Sequence, residues 1–244
     1  MLVRLLRLSI IGALVALLLI GAMWWGRDSM SSGEIVRRYH IRAYGNPAMW
    51  NLTWLGIPTI QNPNDVWIIQ EIIAEVKPDV IIETGTARGA SAAIWAMVQR
   101  EVNADGRVIS IDIQDIAERE KLTPSLLAHI DFVVGSSVDP EVVSGVKKSV
   151  QGKIVLVILD SAHNRAHVLN ELKVYSPLVS VGSYVIVQDT NINGHPVINL
   201  EHPGPGPMEA VEDFLASTPN FQVDLSREKL MFTMHPRGYL KRLR

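Results

Sequence analysis

Asp160 ends the apolar run "IVLVILD" and is followed three residues later by His163 and then by His167. A second apolar run, "GSYVIVQDT", ends in Gln188 and Asp189. If the two runs are neighbouring strands, two carboxylates and an amide oxygen meet at one point. A hard-oxygen set of that kind suits Mg²⁺, and a hydroxyl bound to such an ion gives up its proton more readily. His163 is then placed as general base beside Asp160, because a neutral imidazole has a suitable pKa. A locally hydrogen-bonded loop histidine is the alternative reading. His167 falls in the next helix, and a zinc pair with His163 would lack the glutamate of H-E-x-x-H, so His167 reads as helix surface.

Three other run ends carry chemistry of a different kind. In "VIIETGTARGAS", Glu83 closes the run, and Gly85, Thr86, Gly89 and Ser91 shape a turn into a helix that lets a ligand approach the backbone. The spacing fails G-x-G-x-x-G, and an acid before the first glycine suits a methionine ammonium better than a pyrophosphate. A turn made only for packing is the alternative. Asp112, ending "RVISID", is placed to accept from ribose hydroxyls, or else to cap a helix. Gly135 and Ser136 in "VVGSSVDP" could flank an adenine, or belong to an ordinary loop. His195 and His202 lie in a proline- and glycine-rich stretch leading to a helix near Pro207 or Met208, where they read as substrate-facing or simply solvent-exposed.

All these positions need a strand to stop and a loop to open beyond it. "DVIIET", "RVISIDI", "IDFVVG", "IVLVILD" and "GSYVIVQDT" are near-continuous apolar runs, with helical stretches at about Ser91–Gln99, Pro140–Val150 and Ala166–Tyr175. That pattern predicts a doubly wound α/β fold, a parallel sheet covered on both faces. Ligands of such sheets sit beyond the carboxyl ends of the strands. "NDVWIIQEIIAEVKP" predicts an amphipathic helix that Pro78 stops. "NFQVDLS" and "EKLMFTMH", joined by a short polar turn, predict an antiparallel C-terminal hairpin and complete seven strands. This is the Rossmann-like arrangement of class I S-adenosylmethionine-dependent methyltransferases.

The 244 residues, 48% hydrophobic and 20% charged, suffice for one buried domain and an appendage. A net charge of -2 offers no basic face for nucleic acid, and the absence of cysteine removes thiolate metal sites and nucleophiles. The uncharged run Leu8–Gly26, after Arg4 and Arg7 and ending in Trp24 and Trp25, predicts a transmembrane helix acting as an uncleaved anchor. The expected organisation is an anchor over 1–27, a connector over 28–64 and a catalytic domain over 65–244.

"ILDSAHNRAHVLNELKVYSPLVSVGSYVIVQDTNINGHPV", "GPGPMEAVEDFL" and "SREKLMFTMHPRGYLKR" resemble the cephalosporin hydroxylase family, which includes antibiotic-pathway proteins and rhamnosyl O-methyltransferases of glycolipids. The resemblance implies a class I methyltransferase that binds S-adenosylmethionine at the first three strand ends and Mg²⁺ at Asp160, Gln188 and Asp189. It departs at Gln188, where the family pattern reads Glu-Asp-Thr; an amide there removes a charge and weakens the cation site. The implied reaction is O-methylation of a sugar hydroxyl of a glycolipid or polysaccharide precursor. Two other readings are a non-catalytic S-adenosylmethionine-binding partner and a small-molecule methyltransferase. The expected partners are the saccharide acceptor, the membrane and, as an option, a second copy of the chain. The cytosolic methyl donor places the catalytic domain on the cytoplasmic side.

Overall fold

The structure, a computed structural model, describes residues 12–22, 30–197 and 204–244. The chain divides between Tyr39 and His40 into an N-terminal unit and a large compact unit, His40–Arg244. In the first, helix α1 covers residues 12–22 and is exposed throughout. Among the described residues no helix is long and apolar enough to cross a membrane. The rest of the expected anchor, including Trp24 and Trp25, lies outside the described residues, as does His202.

The expected connector carries more structure than an irregular link. It holds α2 (Ser32–Tyr44), a 3-10 turn (Pro47–Asn51) and a small hairpin of β1 (Thr53–Trp54) and β2 (Ile57–Pro58). Ile57 is fully buried in the core of the large unit. Asn62 then caps α3 (Pro63–Val76), whose Ile68, Ile69, Ile72 and Ile73 are all buried. A fully buried isoleucine contributes about 2 kcal/mol, so this face alone fixes the helix.

The strands β3 (Val80–Thr84), β4 (Arg107–Asp112), β5 (Ile130–Val134), β6 (Val155–Leu159) and β7 (Tyr184–Val187) are parallel. With β8 (Phe221–Val223) and β9 (Tyr239–Arg242) they form a seven-stranded sheet ordered β5-β4-β3-β6-β7-β9-β8. Alternate residues serve two cores. Ile81, Leu156 and Ile158 meet α3, α4 (Ala90–Val102) and α5 (Pro124–Leu127), while Ile82, Val157 and Leu159 meet α6 (Pro140–Ser149), α7 (Arg165–Tyr175) and α8 (Pro207–Ser217).

The terminal hairpin exists, but its second strand is Tyr239–Arg242 and not "EKLMFTMH". That segment passes through a 3-10 turn (Leu225–Glu228) and then runs irregularly. Positive φ at Met231 (65°) inside it, with Pro236 and then Arg237 (φ 61°) directly after it, is incompatible with a ladder there.

Candidate active site

The parallel register assembles the site. Thr84 pairs with Leu159, and Leu159 with Val187, so Gly85, Asp160 and Gln188 are each the first residue beyond one of three adjacent strands. The ladder continues one step past them. The Asp160 N–H donates to Thr84 O at 2.9 Å and the Gln188 N–H to Leu159 O at 2.9 Å. The chain turns to opposite sides after β3, whose neighbours are β4 and β6, and a cleft opens at such a reversal.

Gly85 has φ +92°, and a Cβ on it would lie 1.9 Å from Asp160 O. Only glycine lets these two strand ends touch. Asp112 ties the turn to the next strand: its Oδ2 accepts from the Ala87 N–H at 2.8 Å and its Oδ1 from the Gln114 N–H at 2.9 Å. Gly89, at φ +87°, opens α4. Gly135 continues from the end of β5 by donating its N–H to Asp112 O at 2.8 Å, with half-buried Ser136 beside it. Gly85, Gly89, Asp112, Gly135 and Ser136 therefore lie along the ends of three consecutive strands, β3, β4 and β5, where a nucleoside cofactor would be held.

Glu83, Thr86 and Ser91, expected among the cofactor contacts, are buried behind that turn. Glu83 shares the α4 face of the sheet with Ile81, and its carboxylate accepts from Trp95 Nε1 at 2.8 Å and from the Ser110 hydroxyl at 2.6 Å. Ser110 in turn takes the Thr86 hydroxyl at 2.7 Å. Burial pushes the Glu83 carboxyl up to about 7, against the hydroxyls of Ser110 and Ser91 and the Trp95 N–H, which favour the anion. An unfolded chain loses that proton near the ordinary value of 4.5, so the folded state binds more protons between the two values. Stability therefore falls as pH rises through this window. Glu83→Gln is expected to flatten that fall, about 3 kcal/mol between roughly pH 4.5 and 7, read from urea midpoints; an unchanged slope would assign the effect elsewhere.

Asp160, His163 and Asp189 form one cluster, with one ligand atom from each lying within 4.8 Å of the others. His163 Nε2 is 3.6 Å from Asp160 Oδ1 and 3.2 Å from Asp189 Oδ2. Burial disfavours a charged ring, but the Asp160 and Asp189 carboxylates outweigh it and push its pKa up to about 9. His163 Nε2 is buried without a well-formed hydrogen bond. Two carboxylates and an imidazole within that span fit a divalent cation.

Gln188 joins the cluster through a residue that sequence reading missed. Gln61 Nε2 donates to Asp160 Oδ2 and to Gln188 Oε1, each at 2.9 Å. The two bonds orient both acceptors and turn the Gln188 oxygen toward Asp160. The one hint in the sequence is position, since Gln61 immediately precedes the cap of α3.

His167 is not helix surface. It contacts Ser137 Oγ at 3.2 Å and Glu171 Oε1 at 3.3 Å, and this contact with Glu171 raises its pKa. Glu171 is fully buried and also accepts the hydroxyls of Ser137 (2.6 Å) and Ser161 (2.7 Å). One carboxylate thus ties the loop after β5 to the loop after β6. His195 is held by Glu209 Oε1 at 2.8 Å and is not freely solvated.

Residues 46–243 match the sequence model of a family described as Rhamnosyl O-methyltransferase/CmcI. The chain belongs to this family. The rhamnosyl O-methyltransferase of Mycobacterium tuberculosis is 37% identical over 244 residues, 97% of each chain, and that of Mycobacterium leprae is 38% identical over 219 residues, 86% of this chain and 91% of the relative. A solved CmcI structure described as Mg-SAM shares the fold at TM-score 0.59 and 18% identity, covering 79% of this chain and 77% of that one. The O-methyltransferase TomG from Streptomyces achromogenes, in complex with SAM, aligns at TM-score 0.53 and 17% identity, over 79% and 81%. Membership of the Rhamnosyl O-methyltransferase/CmcI family makes the enzyme class O-methyltransferase. The family match begins at residue 46, so it takes in Gln61.

Proposed function

We propose that this chain methylates a sugar hydroxyl of a glycolipid or polysaccharide precursor, with S-adenosylmethionine as donor and a divalent cation, Mg²⁺, as aid. The observation that carries the reading is the Asp160, His163 and Asp189 cluster one strand away from the Gly85 turn. Relatives named rhamnosyl O-methyltransferase support the sugar acceptor. When bound, S-adenosylmethionine supplies an electrophilic sulfonium methyl and the cation lowers the pKa of the acceptor hydroxyl. Asp160 and Asp189 hold the charge that keeps the cation, and Gln61 orients the Asp160 carboxylate. His163 Nε2 takes the hydroxyl proton; a cation beside the same two carboxylates favours the neutral ring this requires. With donor and acceptor bound, the acceptor oxygen would take the methyl group from the sulfonium and leave S-adenosylhomocysteine.

The N-terminal run Leu8–Gly26 motivates a membrane anchor with the catalytic unit on the cytoplasmic side, where the donor is made. Deleting residues 1–27 is expected to release the chain from the membrane fraction and to lower transfer to lipid-linked acceptors. The deciding experiment is incubation with methyl-labelled S-adenosylmethionine and membrane extract, in which label appearing in a glycolipid fraction is the expected result. Gln188 favours one competing reading, a non-catalytic partner protein, because it leaves the cluster a charge short. Tight donor binding with no label transferred to any fraction would select it.

Gln188→Glu adds that charge beside Asp160, where Gln61 still donates. Mg²⁺ affinity is expected to rise about tenfold by calorimetry, and an unchanged affinity would remove position 188 from the ligand set.

A further inference from the structure

We propose that His235 is a positioning residue for Asp189, backed by the buried carboxylate of Asp65; this rests on the cation reading above and deepens it. Asp189 has φ +54°, a conformation that costs a non-glycine residue about 1–3 kcal/mol and persists only when its surroundings enforce it. The enforcing contact is specific. The Asp189 N–H donates to His235 Nδ1 at 3.0 Å.

A ring nitrogen that accepts an N–H carries no proton, so the neutral ring of His235 holds its proton on Nε2. That atom lies 3.7 Å from Asp65 Oδ2, an electrostatic contact longer than a hydrogen bond. The His235 ring is 2% exposed and Asp65 0%, so water does not compete. Asp65 is itself fixed by four donors: Asn62 Nδ2 (3.0 Å), the Met234 N–H (2.8 Å), the Tyr239 hydroxyl (2.8 Å) and the Thr233 hydroxyl. The chain of contacts runs from the first turn of α3, through the irregular 232–238 segment, to the backbone of Asp189.

Flanking bonds hold the same segment on both sides. The Val187 N–H donates to Gly238 O at 2.9 Å, and the Thr190 hydroxyl to Pro236 O at 2.6 Å. Between them, among the described residues, the His235 side chain is the one that reaches the Asp189 amide. Without it that half-buried N–H loses its acceptor, the residue relaxes toward negative φ, and its carboxylate leaves the 3.2 Å contact with His163.

The test uses the full chain, with hydrogen exchange at the Asp189 amide and binding of Mn²⁺ alone followed by paramagnetic resonance. In His235→Leu, Asp189 exchange is expected to speed up at least about tenfold and Mn²⁺ affinity to fall about 10- to 100-fold. S-adenosylmethionine affinity should stay unchanged. His235→Asn places an amide oxygen near the Nδ1 position and is expected to restore both readouts to within about threefold of the parent. If His235→Leu does not fold, His235→Gln, whose acceptor sits near the Nε2 position, is expected to show the same loss. Unchanged Asp189 exchange in the Leu or Gln variant, or an Asn variant no better than they are, overturns the proposal. A parent chain that takes no Mn²⁺ sinks the cation reading instead, and the exchange result then decides the positioning role by itself.

Discussion

Asp160→Ala is expected to lower methyl transfer by about a thousandfold or more, since polarising the acceptor hydroxyl is worth several kcal/mol of barrier. The side chain sits where three functions meet. Its Oδ1 faces His163, its Oδ2 takes the Gln61 amide, and its backbone N–H extends the ladder to Thr84. Alanine keeps the backbone bond, so the fold and the Gly85 turn survive and S-adenosylmethionine affinity should change less than about threefold. Mg²⁺ binding should disappear. Asp160→Asn separates charge from shape: it can still accept from Gln61, and it is expected to lose transfer almost as fully. Full activity in either variant would remove Asp160 from the reaction.

The second large effect is expected at Gly85→Ala. The added Cβ would stand 1.9 Å from Asp160 O and 2.6 Å from Asp160 C, and the neighbour is strand backbone that cannot swing aside. At φ +92° alanine is also strained in its own right. Pushing β3 and β6 apart at their ends should cost about 3–5 kcal/mol in urea-midpoint stability, within the range of severe core substitutions. Because the turn and Asp160 move together, affinity for S-adenosylmethionine and for Mg²⁺ should fall together. A variant that keeps parental stability and loses only one of the two would show that the strand ends are not coupled.

The strand ends were legible because a buried run that stops at a charged residue is rare without a purpose. Asp160, Asp189, Asp112 and the Gly85 turn all gave that signal, and parallel pairing brought them together. What lay hidden was the direction of side chains and the reach of distant ones. Glu83 reads as a cofactor acid by type, yet it shares a face with Ile81 and points into the α4 side, with Thr86 and Ser91 behind it. Gln61 reaches its partners across 99 and 127 positions, a separation no local pattern encodes. The segment "EKLMFTMH" was apolar enough to read as a strand. Its polar atoms are spent instead on Asp65 and Asp189, and the positive φ at Met231 carries no periodic mark.

The in-step ends of β3, β6 and β7 also bear on how such a protein can change. Gly85, Asp160 and Gln188 take their places from strand register, which no loop sets. The stretch beyond Asn191 is fastened to α8 by His195, which bonds Glu209, to α7 by the Arg165 N–H, which donates to Pro205 O at 3.0 Å, and to the site by Asn193 Nδ2, which donates to His163 O at 3.4 Å. Exchanging that stretch for a relative's is therefore expected to disturb His163 unless Asn193 is kept, while Gly85, Asp160 and Gln188 hold their places.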